Sequence, residues 1–487
     1  MRLSSPSLLT LIFVAFAIAY LFYSNHKTEP QKVNILFITV DDLNDWIGVL
    51  GGHPQAKTPN IDRLANSGIL FSNAHCQSPV CNPSRASMMT SLYPSTTGIY
   101  FLNPDIIDSP VARESVVMPR RFEKEGYHVN GVGKLFHNAP GINERHVPNY
   151  AGHLGGFGPM PEEKISSFPG HPLWDWGAYP DNDSQMPDFK IASWVEHNLS
   201  ETLSEPFWMG VGFFRPHVPQ FVPQKWFDMY PLETLEMPKT ISGDLNDISQ
   251  YGVDITRRKH VSPTHEWVME NDEWKPLVQS YLACVSFVDA QIGRVLDVLE
   301  QSSCAENTIV VLVSDHGFHL GEKERHAKRS LWQDGTRVPM IIAGPGIPGG
   351  QVCTKPVQLL DIYPTLLDLA NIDPDPHHEG HSLVPLLQDT QADWDHYSRV
   401  CFGPGNFAIV SEHFRLIQYK DGSEEFYDHR IDPHEWVNVI ENTEYQDIIS
   451  THRSQIPADR YPILGDGSTG HEAFQAAEEN VLTQSIE

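Results

Sequence analysis

Residues 33–42, VNILFITVDD, decide the fold. The first eight form an almost unbroken apolar run rich in β-branched side chains, the pattern of a strand buried on both faces of a parallel sheet. They lead straight into Asp41 and Asp42. Residues 308–317, TIVVLVSDHG, repeat the arrangement, an apolar strand running into Asp315, His316 and Gly317. VPMIIAG around Met340 and PFWMGVGFF around Val211 read as further strands. Helical patterns lie between them: TPNIDRLANSG, with Thr58 as N-cap and Gly68 as stop, then Glu114 to Glu125, then Trp274 to Gln301. Strands alternating with helices predict an α/β domain with a doubly wound, mostly parallel central sheet.

In such a sheet, ligands bind outside the carboxyl ends of the strands, so the two acidic strand ends are expected to face one crevice. Three carboxylates converging there repel one another unless a divalent cation holds them, and oxygen donors favour Ca²⁺ or Mg²⁺. His316 leaves Mn²⁺ open. The plainer alternative is that Asp41 or Asp42 only caps a following helix.

Residues 81–85, CNPSR, open another helix-like run. Pro83 suits a helix start, where its missing N–H is no loss. Cys81 then stands at a helix N-terminus, which favours an anion or an anionic nucleophile, and Arg85, one turn on, offers a forked donor to a tetrahedral oxyanion. By local chemistry alone Cys81 is either a reactive thiolate or a small buried residue.

CNPSRASMMTSLYPSTTG resembles the signature of the type I sulfatases, CxPxR followed by a helix and a Gly-containing turn. The likeness runs from NILFITVDDL through SDHGFHLGE to EEFYDHRIDPHEW, nearly the whole chain. Four details are similar to the iduronate-2-sulfatase group: paired Asp41 and Asp42; Asp315-His316; GVGKLFH with Lys134 and His137; and RPHVP with His217. Lys328, in ERHAKRS, takes the place of the family's second active-site lysine.

The resemblance implies an alkaline phosphatase-like fold and hydrolysis of sulfate esters on sulfated carbohydrates. It implies that a formylglycine-generating enzyme oxidises Cys81 to formylglycine. Asp41, Asp42, Asp315 and His316, with the modified Cys81, would bind calcium, with Mg²⁺ or Mn²⁺ as alternatives. Arg85, Lys134, His137, His217 and Lys328 would surround the sulfate. The competing readings are a phosphonate or phosphodiester hydrolase of the same superfamily, and a non-catalytic binder of sulfated glycans in which Cys81 stays a thiol.

The chain of 487 residues carries a formal net charge of -28, which excludes nonspecific attraction to nucleic acid or anionic lipid. An anionic substrate therefore needs a local basic pocket. The loops from about 138 to 188 and 215 to 270 are rich in Pro, Gly, His and Trp and are placed at the rim of that pocket, with Trp174 and Trp226 as candidates for sugar stacking. His146, His153 and His171 read as loop residues and Cys76 as packing.

Arg2, the apolar run Leu8 to Tyr23 and the small residues Ala17-Ile18-Ala19 have the layout of a secretory signal. The run continues past that site, which leaves an uncleaved N-terminal anchor open. The chain is expected to be exported, with residues 1–30 as signal peptide or anchor, 31–395 as catalytic domain, and 396–487 as a subdomain with a small antiparallel sheet and a polar tail. Six cysteines match no zinc spacing and leave at least one free thiol if Cys81 is consumed.

Overall fold

The structure is a computed structural model that describes residues 32–137, 141–200, 204–257, 261–458 and 460–464. The expected signal or anchor and the polar tail lie outside these residues. Among the described residues no helix is long and apolar enough to cross a membrane.

The central sheet has seven strands: β1 (Asn34–Val40), β2 (Gly68–Phe71), β3 (His128–Gly133), β4 (Phe207–Phe213), β5 (Thr308–Ser314), β6 (Met340–Ala343) and β7 (Gln351–Cys353), in the order β7-β2-β6-β5-β1-β4-β3. All neighbours pair in parallel except at β6, which runs antiparallel to β2 and β5. The expected mostly parallel, doubly wound sheet is therefore present. β1 lies inside the sheet beside the central β5, with every residue buried, in register with β5 from Asn34↔Thr308 to Val40↔Ser314.

The pleat sends alternate residues to opposite cores. Ile35, Phe37, Ile309, Val311 and Val313 join one cluster with Met88, Met89, Met118, Phe122 and Ile362. Leu36, Ile38, Val40, Val310 and Leu312 join another with Ile61, Leu64, Ile191, Val195 and Leu282. The second cluster is covered by α1 (Pro59–Ser67), α4 (Pro187–Ser200) and α5 (Trp274–Glu300); the first is covered in part by α2 (Cys81–Thr90) and α3 (Met118–Lys124). Two helix expectations need correction. Thr58 precedes α1, but its hydroxyl makes no cap; it accepts from Gly48 N (2.8 Å) and donates to Asp62 (3.1 Å). The stretch expected to be helical from Glu114 holds only Met118–Lys124, because β-branched Val117 is extended (ψ 148°) and Pro119 sits in the first turn.

A second sheet of four antiparallel strands, β8 (Ser398–Cys401), β9 (Phe407–Val410), β10 (Phe414–Gln418) and β11 (Glu424–Asp428), follows. Val400, Phe407, Ile417 and Tyr427 enter the first cluster, while Leu416 and Phe426 pack with Ile449. The sheet thus shares a core with the main domain on one side.

Candidate active site

Because β1 and β5 are adjacent, parallel and in register, Asp41-Asp42 and Asp315-His316 emerge side by side at one edge of the sheet. Asp42 turns sharply there, with φ 64°, a left-handed conformation uncommon outside glycine. The turn is held from several sides: Asp42 N donates to Asp315 Oδ1 (3.2 Å), Leu43 N to Ser314 Oγ (3.0 Å) and the Tyr281 hydroxyl to the Asp42 carbonyl (2.7 Å). Such strain persists where surrounding structure over-determines it, often at functional sites.

Cys81 opens α2. Val80 at the N-cap position has no side-chain oxygen to offer, so no side chain caps the first-turn N–H groups. Ser84 Oγ donates to the Asp315 carbonyl (2.5 Å) and ties the helix start to β5. The Cys81 Sγ lies 3.0 Å from Lys328 Nζ and 3.2 Å from His316 Nε2. Burial pushes its thiol pKa up despite Lys134 and Lys328, which counts against a resident thiolate.

Lys134 follows β3, whose end approaches β4 closely. A Cβ on Gly133, at φ 75°, would collide with the Gly212 carbonyl and one on Gly212 with the Lys134 backbone, and Lys134 N donates to the Gly212 carbonyl (2.8 Å). This aims Lys134 Nζ at Asp41 Oδ2 (2.5 Å). Lys328, on the loop between β5 and β6, reaches Asp42 Oδ1 (2.6 Å). His217, past β4, donates from Nδ1 to the Val218 carbonyl (2.5 Å), which leaves Nε2 as an acceptor 4.0 Å from Asp42 Oδ2. Arg85 is fully buried and its fork is spent inward: Nε donates to Asp315 Oδ2 (2.8 Å), one terminal nitrogen to the Lys134 and Leu135 carbonyls, and the other points to Asp41 Oδ1 (3.5 Å). It braces the acids rather than reaching into the pocket.

The acids respond to this company differently. Burial alone would raise Asp41, but Lys134, His217, Arg85 and Lys328 hold its carboxyl well below the usual range. Asp42 is pushed up to about 7, chiefly by burial, and its Oδ2 is buried with no hydrogen-bond partner. His316 donates from Nδ1 to the Gly317 carbonyl (3.0 Å), so its Nε2 lone pair faces Asp42 Oδ1 (3.4 Å) and Asp315 Oδ2 (3.7 Å). A lone pair, an orphaned carboxylate oxygen and two further carboxylates pointed at one place repel unless a cation lies between them, and a backbone carbonyl fixing the tautomer is the usual support of a metal-binding imidazole. Asp41, Cys81, Asp315 and His316, and Asp41, Asp42, Cys81 and His217, each bring ligand atoms within 4.8 Å of one another. The residues fit a divalent cation.

Cys81, Lys134, His137, His217 and Lys328 line one cavity of about 470 Å³, with Arg325, Arg329, Phe157, His171 and Trp174 among its other walls. Among the described residues no aspartate or glutamate lines it, in a chain of net charge -28. His137 is held neutral, its pKa lowered to about 3 by burial and then by Lys134, and its Nδ1 has no partner among the described residues. Phe157 stacks on His217 (centroids 4.8 Å apart). Of the tryptophans proposed for sugar stacking, Trp174 is in the wall, whereas Trp226 packs on Phe287 and donates to Asp183 outside it. His171 also lines the cavity; His146 and His153 do not. All six cysteines are buried free thiols.

Comparison with known proteins gives this geometry a family. The family profile "Sulfatase" matches residues 33–372, and "N-sulphoglucosamine sulphohydrolase, C-terminal" matches residues 321–461. A sulfatase of Formosa agariphila is 43% identical over 447 residues, covering 88% of this chain and 87% of that protein. The iduronate 2-sulfatase of Homo sapiens is 30% identical over 388 residues, covering 74% and 68%. In fold the chain is similar to the phosphonate monoester hydrolase of Agrobacterium radiobacter, with a TM-score of 0.70 at 20% identity over 87% of this chain and 94% of that one. By the reach of the profile and the identity of these relatives, the chain belongs to the sulfatase family and is a sulfuric ester hydrolase.

Proposed function

We propose that the protein is exported and removes sulfate from sulfated carbohydrates, in the manner of iduronate-2-sulfatases, through a formylglycine made from Cys81 by a formylglycine-generating enzyme during maturation. The observation that carries this reading is the convergence of Lys134, Lys328 and His217 around Cys81, at an uncapped helix N-terminus, in a cavity that no acid among the described residues lines. The sulfated uronate class follows from the likeness to iduronate 2-sulfatase.

Asp41, Asp42, Asp315 and His316 would hold the cation, Ca²⁺ by its preference for oxygen ligands, with Mg²⁺ or Mn²⁺ as alternatives; when bound it supplies positive charge that favours an ionised hydroxyl at position 81. The hydrated aldehyde supplies one hydroxyl to attack sulfur and a second to expel sulfate from the resulting covalent sulfo-enzyme.

Lys134 and Lys328 neutralise the sulfate oxygens as charge builds on them. Lys328 is held firmly protonated by the surrounding acids, although burial opposes this, so it serves first as a fixed charge. His217 is held neutral by burial and by Lys328, and its Nε2 can take a proton once a sulfate anion lies beside it. It then passes that proton to the leaving sugar oxygen as general acid. His137, neutral with an unpartnered Nδ1, accepts the proton of the second hydroxyl. Arg85 positions Asp315 and Asp41.

The competing phosphonate or phosphodiester activity has the fold likeness in its favour. Assays of matched sulfate and phosphate esters separate the two: the account expects the higher kcat/KM on sulfate, and a higher value on a phosphodiester would overturn it.

A further inference from the structure

Apart from this cavity, His319, Glu322 and Asp334 bring their ligand atoms within 4.8 Å of one another. His319 is fully buried. Its Nε2 lies 2.6 Å from Ser330 Oγ, while its Nδ1 makes no hydrogen bond of good geometry and points toward Asp334 Oδ2 at 3.9 Å. Glu322 Oε2 accepts from Leu320 N (2.7 Å), and the Asp334 carboxylate accepts no hydrogen bond from the described residues.

The charges here do not balance. Burial, Glu322, Asp45 and Glu435 push the Asp334 carboxyl well above its usual range, and Arg337 opposes them. Arg337 is already paired with Asp45, and Lys323 with Asp244. Glu322 is pushed up to about 7 by burial, with Asp45 and Asp244 adding to it. An imidazole nitrogen whose nearest other partner is a poorly aligned Glu322 backbone group, facing two carboxylates whose neighbouring cations are already paired, is an arrangement that a cation completes. The Asp334 side chain, 30% exposed, leaves a way in from solvent.

We propose that His319 Nδ1, Glu322 and Asp334 form a second divalent-cation site. One imidazole and two carboxylates, with water filling the remaining positions, suit Zn²⁺ or Mn²⁺ better than Ca²⁺. The ion is a brace. It ties the loop that follows β5 to the far end of the segment that carries Lys328, and so helps fix where that lysine stands. The site is independent of the sulfatase reading, and its failure leaves that reading intact.

The test uses the full chain, first treated with a zinc-selective chelator in saturating Ca²⁺ and then dialysed against micromolar Zn²⁺. Elemental analysis of the wild type is expected to find about one Zn²⁺ per chain, with Ca²⁺ content unchanged, and the thermal midpoint is expected to rise on Zn²⁺ addition. Asp334→Asn and Glu322→Gln should each weaken Zn²⁺ binding at least tenfold and lose the thermal response, while keeping their Ca²⁺ and a cooperative unfolding transition. Co²⁺ in place of Zn²⁺ should give the visible absorption of a nitrogen–oxygen site in the wild type alone. A wild type that takes up no Zn²⁺, or variants that bind it as the wild type does, overturns the proposal.

Discussion

Asp41, Asp42, Asp315 and His316 stand at the ends of two adjacent strands in register, whereas Lys134, His217 and Lys328 reach the same point from three separate connections. The acids are placed by the most buried part of the sheet, and a turn held by Tyr281, Ser314 and Asp315 leaves them little freedom. The two lysines lie beyond strand ends, Lys134 one residue past β3 and Lys328 in a loop, and each is held by an acid: Lys134 by Asp41, Lys328 by Asp42. One half of the pocket is therefore dictated by strand pairing and the other largely by charge. In this structure the lysines pair with carboxylates that a bound cation would neutralise, which would free them to turn toward a sulfate.

The largest effect expected from breaking the acid half is loss of turnover. Cys81→Ala should lower kcat by roughly 10⁴-fold or more, since the nucleophile itself is gone, while the fold and cation content persist. Asp315→Asn should reduce activity on a similar scale and lose bound cation by elemental analysis, because it also releases Arg85 from its ion pair. In the cation half, Lys134→Ala and Lys328→Ala should each cost about 10²–10³-fold, seen mainly in kcat, as expected for donors that act on developing charge. An equal loss carried wholly by KM would contradict that assignment. Trp174→Ala, in the cavity wall, should raise KM about tenfold for a sugar substrate and leave kcat on a small aryl sulfate nearly unchanged.

The smallest effect on turnover is expected at Glu435, which does not line the cavity; its effect falls on stability. Burial opposes its ionisation, but Arg415 and His429 lower its carboxyl from 4.5 to about 2. A depressed folded-state pKa contributes stability above the unfolded value and loses it as pH falls toward the folded one. The wild type should therefore lose up to a few kcal/mol between pH about 4.5 and about 2, and Glu435→Gln should show a shallower acid dependence in thermal melts.

This division also explains what could be read from the chain. The apolar runs ending in Asp41-Asp42 and Asp315-His316 are contiguous, so the parallel sheet and its acidic edge were legible from periodicity alone. Lys134, His217 and Lys328 have no local signature; they were reached only through ordered motifs resembling a family. Phe157, Arg325 and Arg329 escaped because irregular loops carry no period, although the basic residues of ERHAKRS were a usable signal. Arg85 was read from its place one turn into the helix as a donor to the substrate. Its direction is set by Asp315 and two backbone carbonyls, partners that sequence spacing does not reveal.

The claim on which the account rests is that the thiol of Cys81 is a precursor. Mass analysis of the peptide containing residues 81–85, from natively produced and catalytically active protein, tests it most directly. The account predicts an aldehyde in place of the thiol, trapped by a hydrazine reagent, in proportion to specific activity. An active enzyme whose Cys81 is entirely an unmodified thiol would contradict it.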